Sequence, residues 1–260
     1  MLAPEGSLAR VAYHTAHAQH SPHQHAQSPS LRTTHDRTPA YEMKFLLSEA
    51  QAFAVEARLQ SRLTLDPHAV GNGYHLTTLY CDTPRWEVFH RAGRFRLFKC
   101  RLRRYDQSST IFLERKAKRR EEVRKRRSTI AIDQLDRFAV AATDQPWEGG
   151  WYQQQLSRNN LRPTCLIEYD RVAYFGHSDE GPLRLTFDRH VVGGLTNAWS
   201  FETPATRHDL LPGQVVCEFK YRATLPSLFK ATICDLQLLT RGVSKYRHCI
   251  QSTGAVCPLP

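Results

Sequence analysis

The sequence predicts an α+β protein whose main element is an antiparallel sheet closed into a barrel. Strand-like runs recur between residues 41 and 221, with helix-like segments between them. Five of these runs carry charged or polar side chains at every second position, which places those side chains on one face of each strand. A face of long cations must either meet water or surround an anion. Closing the sheet into a barrel would bring the five faces together in one lumen.

The five strands share a mixture of cations and a few carboxylates. A cluster of like cations is tolerable only where water, carboxylates or a polyanion fill the space between them. The residues on these faces are Glu42 and Lys44; Lys99, Arg101 and Arg103; Glu114, Lys116 and Lys118; Arg184, Thr186 and Asp188; and Glu218 and Lys220.

The chain as a whole is basic. Its 260 residues include 36 Lys and Arg against 25 Asp and Glu, a formal net charge of +11 at pH 7. A field of this sign attracts nucleotides, phosphate polymers, nucleic acid or an acidic membrane surface, and charge alone does not choose among them.

The cysteine pattern and the hydropathy indicate the cellular compartment of the protein. Seven cysteines are scattered with no Cys-x-x-Cys motif and no zinc-finger spacing, which is typical of reduced thiols. No apolar run approaches the ~18 to 20 residues of a membrane span, and the start of the chain lacks the apolar core of a secretory signal. We therefore expect a cytoplasmic protein without membrane insertion.

The composition divides the chain into three parts. Residues 1–40 are rich in Ala, His, Gln, Ser, Pro and Thr and cannot bury enough apolar surface to offset their ordering entropy. We predict a disordered, His-rich tail there, a folded domain over residues 41–252, and a flexible tail over residues 253–260.

The first elements are predicted from caps and breaks. A strand over 41–47 is followed by a capping-box pattern that starts at Ser48, and the helix it begins is expected to reach about Leu63. A second strand covers 74–81, after which Asp82 is suited to cap a short helical turn.

The central pair of strands is predicted at 98–105 and 111–118. The mostly basic run 119–127 is expected to be a solvated loop that also acts as an electrostatic funnel. A helix is predicted at 133–140, and another short helix after 149–150.

Strand signals return in the last third of the chain. Strands are predicted at 165–175, 183–188 and 215–221, with a loop-rich segment over 191–213. An amphipathic helix is predicted at 225–239.

Seven segments together resemble the VTC domain, the polyphosphate polymerase domain of the vacuolar transporter chaperone complex, in the triphosphate tunnel metalloenzyme superfamily. The resemblance covers roughly residues 41 to 250, and the order of the motifs makes it specific. The segments are 41–47 (YEMKFLL), 79–83 (LYCDT), 99–105 (KCRLRRY), 112–116 (FLERK), 184–189 (RLTFDR), 217–221 (CEFKY) and 244–246 (SKY).

This resemblance implies a tunnel-shaped antiparallel barrel of about eight strands that binds a nucleoside triphosphate or a polyphosphate end to end. It implies an enzyme that moves the terminal phosphoryl group of ATP onto a polyphosphate chain with Mn²⁺ or Mg²⁺. The residues carried over by motif are Arg101, Arg103, Lys116 and Arg184 for catalysis; Lys44, Lys99, Lys118, Arg127, Arg171, Lys220 and Lys245 for phosphate binding; and Glu218 for the metal, with Glu42 and Glu114 as further metal candidates.

Three glutamates have more than one possible role. Glu42, Glu114 and Glu168 could orient the cations or assist the metal. Glu42 and Glu114 could instead serve only as counter-ions that limit repulsion among the cations.

One motif departs from related enzymes of the superfamily. The first strand carries Glu42-Met43-Lys44 rather than the Glu-x-Glu-x-Lys of the adenylate cyclase and thiamine triphosphatase branch. Fewer carboxylates make a poorer two-metal site, which disfavours simple triphosphate hydrolysis. Because no membrane segment is expected, coupling of synthesis to transport would need a membrane protein in another chain.

Two alternatives to a polymerase remain at this stage. The same tunnel could serve a triphosphatase or polyphosphatase, or a non-catalytic module that binds polyphosphate and regulates a partner. Nucleic-acid binding is disfavoured because aromatic side chains are not interleaved with the basic run 119–127.

Overall fold

The structure is a computed structural model that describes residues 40–255, apart from residues 70, 97, 120–121, 141–145 and 223. For residues 40, 117–119 and 122–124 it describes the backbone alone. The predicted His-rich tail therefore lies outside the described residues except for Ala40, which begins the first strand. The two domain boundaries stay predictions.

Ten strands and five α-helices are found in the described part of the chain, together with two 3-10 helices. The strands are β1 (Ala40–Ser48), β2 (Thr64–Leu65), β3 (Tyr74–Asp82), β4 (Lys99–Tyr105), β5 (Thr110–Arg119), β6 (Glu122–Ala131), β7 (Arg162–Ser178), β8 (Gly181–Leu195), β9 (His208–Asp209) and β10 (Gln214–Arg222). The helices are α1 (Glu49–Leu59), α2 (Glu87–His90), α3 (Gly150–Arg158), α4 (Ser227–Asp235) and α5 (Lys245–Ser252), and the 3-10 helices are Gly93–Phe95 and Ile132–Phe138.

The strands form one antiparallel sheet, which confirms the α+β class. Eight long strands follow the order β1-β10-β8-β7-β3-β4-β5-β6, while β2 pairs with β7 and β9 pairs with β8. Strands that are neighbours in sequence pair through short connections in β4 with β5, β5 with β6 and β7 with β8, and through longer connections in β3 with β4 and β8 with β9.

The predicted closure of the sheet into a barrel is wrong, because β1 and β6 are the two ends of the strand order. The outer edge of β1 is instead occupied by a later segment of the chain. Phe45 forms an isolated bridge with Thr240, and the backbone N–H of Arg241 donates to the carbonyl of Lys44 at 2.8 Å. These bonds satisfy part of an edge that would otherwise be open.

The sheet nevertheless curls, so that its charged face becomes an inner face. On β5, the pKa of Lys116 responds to Glu42 and Lys44 on β1 and to Lys220 on β10. Strands near opposite ends of the strand order therefore bring their charged side chains close together without hydrogen bonding to each other. The charged faces therefore come together on one concave surface, but not in the lumen of a closed barrel.

The opposite, outer face of the sheet holds most of the apolar core. Phe45, Phe187 and Phe219 belong to a buried cluster that α1 and α4 cover with Val55 and Phe229. A second cluster combines the outer faces of β3, β4 and β5 with α3, and its fully buried members there include Leu79, Leu102, Leu113 and Tyr152. The cluster continues through α5, whose Tyr246 stacks on Tyr80, a residue opposite Arg101 and therefore on the inner face.

Helix α5 packs against the sheet at β3, β7 and β8. Tyr246 stacks on Tyr80 with ring centroids 5.4 Å apart, and its hydroxyl donates to Asp82. Cys249 Sγ would lie only 3.1 Å from a Cβ placed on Gly193, so a side chain at that position would force Cys249 to shift. The same Asp82 accepts from the backbone N–H groups of Val88 and Phe89 in α2, as its predicted capping role requires.

Several element predictions are corrected by the structure. The run 119–127 was expected to be a loop, but Glu122–Ala131 is strand β6, because it pairs along its length with β5. The predicted helix at 225–239 is limited to Ser227–Asp235. Strands β7 and β8 are longer than expected, and β8 takes the first residues of the predicted loop 191–213.

Among the helices that the structure describes, none has both the length and the apolar character needed to cross a membrane.

Candidate functional site

The inner face is built by strand alternation and register. Residues that lie directly opposite one another on neighbouring strands point to the same side of the sheet, so the register assigns the charged side chains to one surface. Its charged and hydroxyl members, in strand order from β1 to β6, include Glu42 and Lys44; Lys220 and Glu218; Arg184, Thr186 and Asp188; Arg171; Thr78; Arg103, Arg101 and Lys99; Glu114 and Lys116; and Arg127 and Lys125.

Arg101, Glu114 and Arg127 lie opposite one another on β4, β5 and β6, and we call them the arginine row. Arg101 Nε donates to Glu114 Oε2 at 2.6 Å, and Arg127 Nε lies 3.3 Å from Glu114 Oε1. Arg103, the next residue on the same face of β4, places its Nη1 3.8 Å from the same carboxylate. One carboxylate thus holds three guanidinium groups in fixed positions.

Electrostatics explain why Glu114 is ionised. Burial by itself would raise the pKa of the Glu114 carboxyl, but Arg103, Arg101 and Arg127 outweigh burial and hold the pKa well below its usual range. The three guanidinium groups carry more charge than one carboxylate neutralises. A net positive charge therefore remains at this row even with its internal ion pairs formed.

Two lysines and two glutamates form a second cluster on β1 and β10. Lys44 Nζ contacts Glu218 Oε1 in a short ion pair and lies 2.7 Å from Glu42 Oε1. Lys220 Nζ lies 2.7 Å from Glu218 Oε2 and 3.7 Å from Glu42 Oε2. Burial would raise the pKa of Glu218, yet Lys220 and Lys44 hold it well below the usual value.

A third cluster surrounds Asp188, which is fully buried. Arg171 binds it in a bidentate pair, with Nε to Oδ1 at 2.5 Å and Nη2 to Oδ2 at 2.7 Å. Lys245, the first residue of α5, reaches Asp188 Oδ2 at 2.5 Å and lies 4.4 Å from the centre of the Tyr169 ring. Burial raises the pKa of Asp188, but Arg171 and Lys245 lower it to about 2.

Lys99, Lys116 and Lys125 lie opposite one another on β4, β5 and β6, and we call them the lysine row. All three residues are partly exposed to solvent, although protein atoms surround the Lys99 ammonium group. Burial of the ammonium group among protein atoms, together with Arg101, Lys44, Lys116 and Arg91, lowers the pKa of Lys99 to about 8. These charged groups, the ones that act on it most strongly, are all cations.

Two polar atoms on the inner face lack a hydrogen-bond partner among the residues that the structure describes. They are Nε of Arg184 and Oγ1 of Thr186, and both atoms are buried. Thr186 lies opposite Glu218 on β10, and the other end of Arg184 donates to Tyr74 Oη at 3.3 Å. A buried polar group without a partner is costly, so this part of the face suits an added polar ligand.

The structure brings most of the predicted site residues onto this face. The exceptions are Lys118, whose side chain lies outside the described part, and Glu168, which faces the other side of the sheet. Glu168 accepts from Thr203 Oγ1 at 3.1 Å and from Arg207 Nη1 at 3.4 Å.

Sequence reasoning missed four residues that belong to the site. Lys125 was hidden in the run interpreted as a loop, and Arg91 follows a short helix that gave no charge pattern. Tyr105 and Tyr169 line the face beside the guanidinium groups: burial would raise the pKa of each phenol, but Arg103 is the strongest of the cations that together lower it. The alternation of Arg101, Arg103 and Tyr105 was a signal that could have identified Tyr105.

The donor set of Glu42 and Glu218 fits a hard divalent cation. Both carboxylates contact the same two ammonium groups, so they converge on one position. Mg²⁺ in phosphoryl-transfer sites is commonly held by one or two carboxylates together with substrate phosphates. Among the described side chains, no group of three or more His, Cys, Asp or Glu residues could hold a metal alone, so the remaining ligands would have to come from the substrate and water.

Fold and charge define a protein with a curled antiparallel sheet whose inner face is predominantly cationic. The sequence model of the VTC domain matches residues 39–253. The chain therefore belongs to the VTC domain family. None of the curated proteins compared with the chain matches it.

Three solved structures are weakly similar to this chain. A candidate adenylate cyclase from Bacillus halodurans is 12% identical with a TM-score of 0.48, over 81% of this chain and 95% of that one. A candidate adenylyl cyclase from Hippeastrum, described as having a dominant triphosphatase activity, is 14% identical with a TM-score of 0.46, over 84% and 97%. A protein from Pyrococcus horikoshii is 11% identical with a TM-score of 0.36, over 76% and 86%. These similarities are weak, and the family assignment depends on the family model.

Proposed function

We propose that the protein is a metal-dependent polyphosphate polymerase that transfers the terminal phosphoryl group of a nucleoside triphosphate to a polyphosphate chain on the inner face. The observation that carries this proposal is the continuous cationic face across the sheet, in a chain of the VTC domain family. A linear polyanion is the ligand whose charge extends along such a face.

In the proposed reaction, an oxygen of the terminal phosphate of the chain attacks the γ-phosphorus of the nucleotide. A new P–O bond forms, the bond between the γ-phosphorus and the β,γ-bridging oxygen breaks, and the electron pair leaves with the nucleoside diphosphate. Charge spreads over the transferred group in the transition state. Arg101, Arg103 and Arg184 would stabilise that charge, since their guanidinium groups are already positioned by Glu114, Thr78 and Tyr74.

The state of the carboxylates favours a phosphate acceptor over water. Glu42, Glu114 and Glu218 each contact two or more cations, and the pKa of each carboxyl lies below its ordinary value because these cations outweigh burial. A carboxylate with so low a pKa is a weak base and is poorly suited to activate a water molecule. Hydrolysis is therefore the less favoured outcome on this face.

A divalent ion, Mn²⁺ or Mg²⁺, would be held by Glu218 and Glu42. When bound, such an ion neutralises phosphate oxygens and polarises the phosphorus for attack. Lys44 and Lys220 would then turn from these carboxylates toward the phosphates, because the ion would repel their ammonium groups.

The test is incubation of the purified protein with ATP and Mn²⁺, with long-chain polyphosphate and free phosphate measured separately. Polymer that accumulates with the wild type and is lost in Glu218→Gln supports the proposal. Free phosphate without polymer would indicate a triphosphatase or polyphosphatase instead.

One observation favours a second candidate, a non-catalytic polyphosphate-binding module. The ammonium groups of Lys44 and Lys220 occupy the position between Glu42 and Glu218 where a metal would bind. A protein that needs only to hold the chain would keep those ion pairs. Tight polyphosphate binding with neither product in the same assay would favour this candidate.

A further inference from the structure

Strand β6 is the last strand of the sheet order, and among the elements that the structure describes only β5 pairs with it. Just beyond these two strands, the backbone N–H of Ile132 donates to the carbonyl of Ser109 at 2.7 Å, so Ile132 and Ser109 form a hydrogen-bonded pair. The backbone groups of an antiparallel strand turn to alternate sides, and the register of β6 with β5 has no shift. Arg126, Ser128 and Ile130 therefore turn their N–H and C=O groups toward β5, and the residues between them turn theirs outward.

The outward groups make an edge to which another strand can pair. Gln134 Oε1 accepts from the N–H of Ala131 at 3.2 Å, which occupies one end of this edge. In the described part of the chain, no residue bonds to the outward N–H groups of Lys125, Arg127 and Thr129. We call the backbone of these three residues the open edge.

The two ends of the sheet differ in how their edges are covered. On β1, Thr240 and Arg241 of the same chain bond to the outer backbone. The open edge has no such cover among the described residues, and residues 125–127 and 129 are exposed. An uncovered edge strand is a place where an extended segment of another chain can add to a sheet through backbone hydrogen bonds.

The side chains beside the open edge define the chemistry of a suitable segment. Lys125 and Arg127 point to the inner face, and Arg126 points to the outer face. Pairing of β6 with β6 of a second copy would place cations opposite cations, which is destabilising. Carboxylates on an added strand would lie opposite these cations instead. Because consecutive residues of a strand point to opposite faces, two adjacent acidic residues would reach both sides of the edge.

Two of these cations are held in place by aromatic rings. The Arg126 guanidinium lies 4.3 Å from the centre of the Trp151 ring, and Trp151 Nε1 donates to Ser128 Oγ at 2.8 Å. On the inner face, the Arg127 guanidinium lies 3.9 Å from the centre of the Phe112 ring. Stacking uses the face of a guanidinium group and not the N–H groups at its rim. Positive charge is therefore positioned on both sides of the edge before a partner arrives.

We propose that the open edge binds an extended acidic segment of a partner protein, which adds to the sheet as a further strand with two consecutive carboxylates opposite Arg126 and Arg127. Backbone hydrogen bonds supply the affinity, and the cations select the charge. This surface does not depend on the proposed phosphoryl transfer. It would place the partner beside the arginine row, at the border of the inner face.

The experiment measures binding of a fluorescently labelled peptide to the whole chain by anisotropy at fixed ionic strength. The peptide has about seven residues, the usual length of a strand, with two consecutive glutamates flanked by valine and threonine. One comparison peptide carries glutamines in place of the glutamates. Another keeps the glutamates but is N-methylated throughout, so that neither of its edges donates a backbone hydrogen bond.

Two variants of the protein separate the backbone from the charge. Thr129→Pro removes an outward N–H that β5 does not use, a position at which Pro is tolerated in an edge strand, and Thr129→Ala is its control. Arg126→Gln removes the outer cation. Its control is Arg137→Gln, since Arg137 also stacks on a tryptophan, Trp147, but lies in the 3-10 helix after β6. Unfolding temperatures without peptide verify that each variant is folded.

We expect the glutamate peptide to bind the wild type at least about tenfold more tightly than either comparison peptide. Thr129→Pro should weaken binding about tenfold and Arg126→Gln about threefold, with both controls close to the wild type. Amide exchange followed by NMR should show new protection of Lys125, Arg127 and Thr129 in the complex. The N–H groups of residues 126 and 128, already bonded to β5, should be protected with and without peptide.

Equal binding of the glutamate and N-methylated peptides would overturn the proposal, because the peptide would then adsorb to the cations without pairing. Equal binding of the glutamine peptide would contradict the selection for acidic residues. Absence of binding by the glutamate peptide, or unchanged binding by a folded Thr129→Pro, would also overturn it. Sedimentation that shows a dimer of this chain, lost in Thr129→Pro, would assign the edge to a second copy instead.

Discussion

The arginine row and the lysine row occupy adjacent positions on the same three strands and differ in how their charge is balanced. In the arginine row, Glu114 lies between two guanidinium groups and holds them through a hydrogen bond from Arg101 and an ion pair with Arg127. In the lysine row, Lys116 lies between two further ammonium groups. The difference separates a rigid set of donors, prepared before the substrate arrives, from an exposed border whose repulsion a ligand would relieve.

The largest expected effect comes from breaking the rigid row. Arg101→Gln removes a guanidinium that is positioned by Glu114, and we expect the rate of polymer synthesis to fall about a hundredfold, as for loss of one preorganised donor. Initial rates with ATP and Mn²⁺ measure the change. Arg104→Gln is the matched control, since Arg104 lies on the same strand but bonds the carbonyl of Ser108 on the opposite face. Equal rates in the two variants would show that the inner face is not the site.

The second-largest expected effect is the loss of folding stability when Glu114 is replaced. Glu114→Gln leaves Arg101, Arg103 and Arg127 without their counter-ion, and we expect the free energy of unfolding at pH 7 to fall by about 2–3 kcal/mol, somewhat less than for a fully buried pair. Urea unfolding measures it. Glu49→Gln, an exposed carboxylate paired with Arg189, should cost less than about 1 kcal/mol.

The stability difference between the wild type and Glu114→Gln should become smaller as the pH falls. The pKa of Glu114 is lowered in the folded protein, since its arginines outweigh the effect of burial, so its stabilisation is complete above the ordinary carboxyl pKa of about 4 and is lost as the pH falls below it. The gap between wild type and Glu114→Gln should therefore narrow in acid. A gap that stays constant down to pH values well below about 4 would contradict the ion-pair account.

The smallest expected effect concerns the repulsion within the lysine row when no ligand is bound. Lys99→Gln removes one member of a like-charge pair, so we expect it to raise the stability at pH 7 by up to about 1 kcal/mol. In the wild type, burial and the neighbouring cations lower the pKa of Lys99 to about 8. Stability should therefore rise between about pH 8 and pH 10.5 as the folded protein releases that proton first. Thermal unfolding across this range, with Lys230→Gln at an exposed position of α4 as control, measures both changes, and a destabilised Lys99→Gln would contradict the repulsion.

Alternation is a local property, so the sequence was sufficient to predict which side chains share a face within each strand that it identified. Period-two placement of Lys99, Arg101 and Arg103 predicts a shared face without knowledge of any partner strand. The structure then adds the register of this strand with the predicted partner β5 and the pairing of β5 with β6, and these place Lys99 and Arg101 in two separate rows.

The features that the sequence could not predict depend on contacts between residues that are far apart in the chain. The prediction that the sheet closes into a barrel failed because the segment at Thr240 and Arg241 bonds to the outer edge of β1. No local sequence pattern identifies that segment as a partner of β1. Strand β6 was interpreted as a loop because its many charges conceal a strand whose pairing with β5 decides its structure. That error also concealed Lys125.

The central claim is that the inner face holds a chain of phosphates, and the shift of the unfolding temperature by tripolyphosphate tests it most directly. A ligand that binds only the folded state stabilises it progressively as its concentration rises above the dissociation constant. The account predicts a rise in unfolding temperature with tripolyphosphate for the wild type and for Arg104→Gln, and a much smaller rise for Arg101→Gln. An unchanged unfolding temperature at every tripolyphosphate concentration, or an equal rise in all three proteins, would contradict it.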